Sequence, residues 1–265
     1  GDLKAFFNYI LTDKKFSIFK TPEEVLEAFR AIQAKEEPYL KKLFGRFPTT
    51  KFEIRRTEAF REQSASAEYN QATEDGSRPG IFYTPIPDVT KFNYTGMETL
   101  FAHEAIPGHH YQISLQQENK SLPAFRRFGW YGAYGEGWAL YTESLGSELG
   151  LYTDPYQKMG NLGDEMLRAV RLVVDAGIHT KGWSREKAID YLLANLPSSE
   201  QEAVAAIERY MAIPAQALSY KMGAIFIKKK KKKYTQQLGT KFNIAAFHDE
   251  LLKDGCMPLD VLERK

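Results

Sequence analysis

Helical periodicity dominates the pattern of apolar and polar positions along most of the chain. The segment TPEEVLEAFRAIQAKEEPYLKKLF has Thr21 as a helix N-cap, Pro22 at the first helical position and Glu24 where a capping box needs it, so it predicts a long helix. Apolar spacing predicts further helices at about 95–118 with an interruption at Pro107, and at 135–148, 155–181, 184–195, 199–212, 214–235 and 243–253.

A small β element accompanies these helices. GIFYTPIPD predicts a short strand near residues 80–86, limited by Pro85 and Pro87. Because proline cannot donate a ladder hydrogen bond, the two prolines predict an edge strand. The segment FEIRRTEAF at 52–60 is less clear. The expected fold class is therefore mainly α with a small β element, in one helical domain over residues 1–265.

Composition and charge narrow the function classes. A hydrophobic content of 43% in 265 residues is ample for a globular core, and 34 acidic against 36 basic residues leave no global field that would favour nucleic acid. No apolar run reaches the length of a membrane span, and the N-terminal GDLKAFFNYI lacks the pattern of a signal peptide. Cys256 is the only cysteine, which leaves His, Asp and Glu as metal ligands.

Six consecutive lysines, Lys228 to Lys233, form the strongest local charge. A solvated helix is the simpler interpretation of this run, and a polybasic contact with an anionic surface is the alternative.

The segment HEAIPGHHYQ at 103–112 carries the main candidate chemistry. A zinc helix usually reads H-E-x-x-H, but here Pro107 stands four residues after His103. On an unbroken helix His109 faces away from His103, and His110 lies roughly 10 Å along the axis. A break at Pro-Gly that expands the turn by two residues would return His109 to His103, with His110 beside the site. A surface histidine patch and a hydrogen-bonded core cluster are the alternatives.

A third ligand is expected on YGAYGEGWALYTESLG at 131–146. Glu136 and Glu143 share one face of an apolar helix, and carboxylates in such a place are either paired or coordinating. Glycines on both sides of Glu136 allow close backbone approach, which favours Glu136 as the metal ligand. Glu143 then suits a role in orienting a histidine, with an ordinary salt bridge as the alternative.

Two more helices supply candidate polar groups. Arg168, Arg171, Asp175 and His179 form one polar stripe on a helix of Leu, Val and Ala, so they either brace the fold or face a site. His179 is the candidate that would bind a substrate carboxylate or a developing oxyanion. In PAQALSYK, Gln216 and Tyr220 lie one turn apart, so both are predicted to face the cleft unless they are core residues.

Five motifs together carry a family resemblance: HEAIPGHHYQ, YGEGWALYTESLG, RLVVDAGIHTKGWSREKAIDYL, PAQALSYKMG and MPLDVLE. In this order they resemble the C-terminal half of the bacterial family catalogued as domain of unknown function 885. That family is grouped with the gluzincin metallopeptidases and is distantly similar to angiotensin-converting enzyme, thimet oligopeptidase and carboxypeptidase Taq.

The resemblance implies a gluzincin-type, two-lobed helical fold, of which this chain is a C-terminal fragment, with the strand near 81–84 as an edge beside the substrate. It also implies a periplasmic or lipoprotein-anchored protein. One departure is Leu140, which replaces the aspartate usual four residues after the ligand glutamate.

The expected function is zinc-dependent hydrolysis of peptide bonds, with His103, His109 and Glu136 as ligands and Glu104 as general base. Tyr220 and His179 are the candidate oxyanion donors. His110, Glu143, Asp175, Arg171 and Gln216 are expected to support the site or to bind the peptide. The alternative is a catalytically degenerate domain that binds peptides without cleaving them.

Overall fold

The computed structural model describes residues 2–265, and within them twelve α-helices surround a three-stranded sheet. The prediction of a mainly α chain with a small β element is confirmed. The elements in chain order are α1 (Leu3–Thr12), α2 (Pro22–Leu43), β1 (Phe52–Arg56), β2 (Glu68–Asn70), β3 (Gly80–Thr84), α3 (Met97–Glu104), α4 (His109–Glu118), α5 (Ala124–Arg127), α6 (Gly132–Glu143), α7 (Pro155–Lys181), α8 (Arg185–Asn195), α9 (Glu200–Ala212), α10 (Gln216–Leu238), α11 (Ile244–Leu252) and α12 (Leu259–Arg264).

Local capping explains why several predicted helices begin and end where expected. The helix predicted at 155–181 spans these residues: Asp154 caps its first turn by accepting from the Tyr156 N–H, and Gly182 ends it with a left-handed conformation. At the start of α2, Thr21 accepts from the Glu24 N–H as predicted. The Glu24 carboxylate, however, accepts from the N–H of Lys20 rather than from that of Thr21.

The sheet contradicts one prediction, because β3 is the central strand and not an edge. It pairs with β1 in parallel and with β2 antiparallel, in the order β1-β3-β2. All five residues of β3 are buried. Pro85 and Pro87 lie beyond the last paired residue, Thr84, so neither removes a ladder hydrogen bond. The strand β2, which has no counterpart in the prediction, forms the edge nearest the candidate site.

Two hydrophobic clusters fill the interior. The larger one joins α2, the sheet, α3, α6 and α10, and its biggest side chains include Trp138 and Phe101. The smaller one lies among the second half of α7, α8 and α9. Burial of these apolar faces stabilises the helices far more than their intrinsic propensity does.

The helices α6 and α10 are in backbone contact. A Cβ on Gly137 would lie 2.4 Å from the Cα of Gly223, and one on Gly223 would lie 1.7 Å from the carbonyl oxygen of Ala133. No side chain fits between the two helices at this point, which fixes the position of α6.

The six lysines extend α10 through Lys228–Lys233. Lys230 is buried and contacts Glu263 at 3.2 Å, whereas Lys229, Lys232 and Lys233 are exposed. Among the described residues, no helix is both long enough and apolar enough to cross a membrane.

Candidate metal centre

A break in the helix brings His109 to His103. The helix α3 ends at Glu104, and α4 begins at His109 after four non-helical residues. Gly108 is needed here, because a Cβ at this position would lie 1.8 Å from the carbonyl oxygen of His103. Trp138 secures the break by donating from Nε1 to the Pro107 carbonyl at 2.8 Å. The two imidazole rings are perpendicular, with centroids 4.8 Å apart.

Glu136 on α6 completes a group of three. Its Oε2 lies 3.3 Å from His109 Nε2 and 3.7 Å from His103 Nε2, and one ligand atom from each residue lies within 4.8 Å of the others. Oε2 is nevertheless a buried atom without a hydrogen-bond partner, as is His109 Nδ1. The three side chains therefore converge, but they leave these two buried atoms without a hydrogen-bond partner.

This spacing fits a bound metal ion. Tetrahedral zinc with bonds of about 2.0–2.2 Å separates two ligand atoms by roughly 3.3–3.6 Å. The separations of Glu136 Oε2 from the two histidine nitrogens, 3.3 and 3.7 Å, are close to this range. Two imidazoles and one carboxylate are also a donor set that zinc binds, with a further position left for water or substrate. The residues present thus fit a catalytic type of zinc site.

The electrostatics of the cluster favour positive charge at its centre. Burial alone would lower the pKa of His103, but the carboxylates of Glu136 and Glu143 outweigh it and raise this pKa to about 10. Burial would raise the pKa of Glu136, yet His103 and His109 hold it well below its ordinary value. The same carboxylates would stabilise a metal ion that takes the place of the imidazole proton.

A buried charge network orients His103 from behind. Glu143 Oε1 lies 2.7 Å from His103 Nδ1, and Arg168 approaches the same oxygen at 3.4 Å while it pairs with Asp164 at 2.7 Å. If His103 donates its Nδ1 proton to Glu143, its Nε2 lone pair points at the cluster, as ligation requires. The structure thus brings both glutamates of α6 to His103, one on each ring nitrogen.

A cavity of about 430 Å³ opens onto the cluster. Glu104 faces it, and burial raises the pKa of this carboxyl, opposed by His109 and His103. The ring of Tyr220 stacks on His103 at 6.1 Å, and its hydroxyl accepts from Gln216 Nε2 at 3.0 Å. Of the two residues predicted to face the cleft, Tyr220 lines the cavity, whereas Gln216 is not among its lining residues and contacts Tyr220 and Arg209. Other residues around the cavity are Ala67, Glu68, Tyr69, Ile113 and Trp130.

The polar stripe on α7 does not converge on this cavity. Arg171 donates to the Tyr210 hydroxyl at 3.0 Å and faces the Tyr220 ring at 5.1 Å. Asp175 accepts from the N–H groups of Ala215 and Leu218, and so it caps the start of α10.

His179 is not brought to the cluster, contrary to its predicted role as an oxyanion donor. Its Nε2 contacts the Tyr210 carbonyl at 3.1 Å and Asp175 at 3.5 Å. His179 follows Arg168, the residue that reaches Glu143, by eleven positions, and this sets it about 17 Å further along α7.

His110 points away from the three ligand atoms, toward the sheet. Its Nδ1 lies 2.9 Å from the Tyr69 hydroxyl, its ring packs on Phe52, and burial lowers its pKa to about 4. At 1% exposure it cannot touch a substrate directly. It instead holds Tyr69, which faces the cavity.

Sequence reasoning missed three residues of the site. Tyr69 lies on the three-residue strand β2, which is too short to give a periodic signal, and Asp164 occupies an ordinary helical position. Trp130 stands in a loop, with its ring 5.7 Å from that of His109. Only Trp130 had a signal, since GWYGAYGEG places it near Glu136 in a run of aromatics and glycines.

Comparisons with known proteins identify a family but assign no activity. A family profile described as "Bacterial protein of unknown function (DUF885)" matches residues 1–265. No curated protein matches the chain.

Two solved structures are similar over the whole chain. One is described as "the putative lipoprotein from Colwellia psychrerythraea"; it is 38% identical, with a TM-score of 0.95, and the chain covers 46% of it. The other is described as "a putative lipoprotein of unknown function from Shewanella oneidensis"; it is 23% identical, with a TM-score of 0.81 and 49% coverage, and it shows the fold alone. The chain thus spans about half the length of both structures.

Proposed function

The chain belongs to the bacterial DUF885 family, and from the geometry of its site we propose that it is a zinc-dependent peptidase. The observation that carries the proposal is the convergence of His103 Nε2, His109 Nε2 and Glu136 Oε2 from three helices, at spacings that suit tetrahedral zinc. A gluzincin-type relationship is part of this proposal.

The proposal assigns the base to Glu104. A zinc ion bound by the three residues would supply a water of lowered pKa and would polarise a substrate carbonyl. Glu104 follows the ligand His103 directly and faces the cavity, and its carboxyl accepts no hydrogen bond within the described part of the chain. Its carboxylate would take the proton of the attacking water and return it to the leaving amine.

Tyr220 is the proposed oxyanion donor. Its ring stacks on that of His103, and the guanidinium groups of Arg168 and Arg171 lie 5.9 and 5.1 Å from its centroid. Burial raises the pKa of its hydroxyl to about 12, with Glu136 adding to the shift, so the group stays protonated and can donate at neutral pH.

Metal content and turnover together test the proposal. We expect about one zinc per chain by elemental mass spectrometry after zinc reconstitution, and hydrolysis of a mixture of blocked, fluorogenic peptides. Glu104→Gln should keep the zinc and lose hydrolysis by a factor of about 100 or more. Failure to retain zinc would remove the basis of the proposal. Zinc with peptide binding and no hydrolysis would establish the degenerate, peptide-binding alternative.

Both similar structures carry the description "putative lipoprotein", and on this basis the whole protein is proposed to be lipid-anchored and to act outside the cytoplasm. Incorporation of labelled palmitate into the full-length protein in its host tests this, and an unlabelled protein recovered from the cytoplasm would contradict it.

A further inference from the structure

The segment FRRFGWY at 125–131 exposes an unusual row of aromatic side chains. Phe125 is 76% exposed, Phe128 40%, Trp130 46% and Tyr131 45%. Large apolar side chains exposed together usually mark a surface that binds something, because each one loses free energy by facing water. This row is called the aromatic segment below.

The two arginines of the aromatic segment point the opposite way. Arg126 donates to the Asp254 carbonyl at 2.8 Å. Arg127 is buried, where it donates to the Gln117 carbonyl at 2.9 Å and pairs with Glu74 at 2.7 Å. An ordinary surface loop would place arginines in water and aromatics inside. Here the arrangement is inverted: the aromatic side chains are exposed, while the arginines are engaged by the protein, and the Arg127 guanidinium also lies 5.2 Å from the Phe128 ring centroid.

Gln116 on α4 fixes the backbone of the aromatic segment. Its Nε2 lies within hydrogen-bond distance of three carbonyl oxygens, at 2.9 Å from that of Arg126, 3.2 Å from that of Arg127 and 2.9 Å from that of Gly129. Its Oε1 accepts from the N–H of Cys256 at 2.8 Å. Because this amide ties the backbone of the segment to α4, the segment is already ordered before a ligand binds. Binding therefore costs less conformational entropy.

Trp130 joins the aromatic segment to the candidate metal centre. Its ring forms part of the cavity wall and lies 5.7 Å from His109, tilted by 61°. Gly135 makes room for it, since a Cβ there would lie 2.0 Å from the indole. Trp130 therefore belongs both to the aromatic segment and to the wall of the cavity in which the proposed reaction takes place.

We propose that the aromatic segment is a specificity site that binds a large apolar side chain of the peptide substrate, with Trp130 as the residue next to the cleaved bond. This inference rests on the proposed peptidase function. A polar or acidic side chain in the same place would exchange water for largely apolar ring surface, on which only the Trp130 indole N–H and the Tyr131 hydroxyl can donate, so the site would discriminate against it.

The test uses blocked fluorogenic peptides that are identical except at one position beside the cleaved bond, which carries phenylalanine, leucine, alanine or aspartate. We expect the wild type to prefer phenylalanine over alanine by about tenfold or more in kcat/KM. Trp130→Ala should reduce this ratio to near one while zinc content is retained, and Trp130→Phe should keep most of it. Phe60→Ala removes an aromatic side chain that is 88% exposed outside the segment and serves as the matched control.

Calorimetric binding measurements distinguish failure of the specificity site from failure of the peptidase proposal. The same peptides are titrated calorimetrically into the zinc-loaded Glu104→Gln variant, with and without Trp130→Ala. Hydrolysis with equal rates for all four peptides would overturn the specificity site and leave the peptidase proposal intact. Absence of hydrolysis, together with a binding preference that Trp130→Ala abolishes, would reject the peptidase and support the site. A dimer that Phe125→Ser dissolves, with no peptide preference, would show that a second copy covers the segment and would also overturn the inference.

Discussion

Glu143 Oε1 lies 2.7 Å from His103 Nδ1, in the buried space between α3 and α6. The contact determines which ring nitrogen of His103 faces Glu136 and His109. Arg168 keeps Glu143 in place through the same oxygen. The affinity of the site for a metal ion should therefore depend on a residue that does not touch the ion.

Replacing Glu143 tests this dependence. Glu143→Gln keeps an oxygen for His103 Nδ1 but removes the negative charge, so zinc affinity should fall by about tenfold, at the low end of the usual effect of such partners. Competition with a chromogenic chelator measures the change. The exposed Glu148→Gln serves as control and should bind zinc like the wild type. Equal affinity in both variants would mean that Glu143 does not orient the ligand.

The two adjacent histidines should behave differently. Because His109 Nε2 faces Glu136 and His110 faces Tyr69, His109→Ala should abolish stoichiometric zinc and His110→Ala should retain it. His110→Ala should instead lower the free energy of unfolding by about 1–3 kcal/mol, since it leaves a cavity and an unpaired Tyr69 hydroxyl. Elemental analysis and thermal denaturation measure the two effects. Loss of zinc in the His110 variant alone would transfer the ligand role to His110.

The space around two helical glycines predicts opposite outcomes for their replacement by alanine. Gly137→Ala would place a Cβ 2.4 Å from Gly223 Cα and should cost about 1–3 kcal/mol of stability. It should also weaken zinc binding, because Glu136 precedes the displaced residue. Gly163 on α7 has nothing within 4 Å of the added carbon, so Gly163→Ala should stabilise the protein by up to about 1 kcal/mol. Denaturant titration measures the free energy of unfolding of both variants, and elemental analysis measures their zinc content. Equal stability and equal zinc content in the two variants would contradict this prediction.

A buried acid predicts how stability varies with pH. Glu36 is fully buried, neither of its oxygens has a hydrogen-bond partner, and burial, with Glu98 nearby, raises its pKa well above 4.5. The unfolded chain releases this proton at lower pH than the folded chain does. The free energy of unfolding should therefore fall as pH rises above 4.5, by up to about 1.4 kcal/mol per pH unit until the folded pKa is reached.

Glu36→Gln should remove the decrease in the free energy of unfolding with rising pH that Glu36 causes. The variant should match the wild type near pH 5 and exceed its melting temperature at pH 8, as followed by circular dichroism. The exposed neighbour Glu37 provides the control, since Glu37→Gln should leave the difference between the two pH values unchanged. A wild type that is equally stable at both pH values would mean that Glu36 does not retain its proton.

Sequence reasoning worked best where the deciding interactions are local. The helix at 155–181 is fixed by Asp154 and Gly182 at its own ends, and the break before His109 by Pro107 and Gly108. Each of these features acts within a few residues, so the printed sequence contains its cause.

Features that depend on distant partners were predicted poorly. β3 becomes central only because β1 and the three-residue β2 pair with its two sides. The polar stripe that ends at His179 lies on one face of α7, but α7 is long and packs against several elements. Arg168 therefore contacts Glu143, Asp175 contacts the start of α10, and His179 contacts the Tyr210 carbonyl. Periodicity gives the face of a residue and not its position along the axis relative to a site.

The Gly137–Gly223 contact also has a consequence for biosynthesis. The ribosome releases the chain from its N-terminus, so all three proposed ligands emerge well before Gly223. Until α10 has been made, α6 lacks the close backbone packing at Gly223 that helps to fix its position, and with it that of Glu136. A nascent chain should therefore acquire its metal ion late, and metal occupancy would report that translation and docking of α10 are complete.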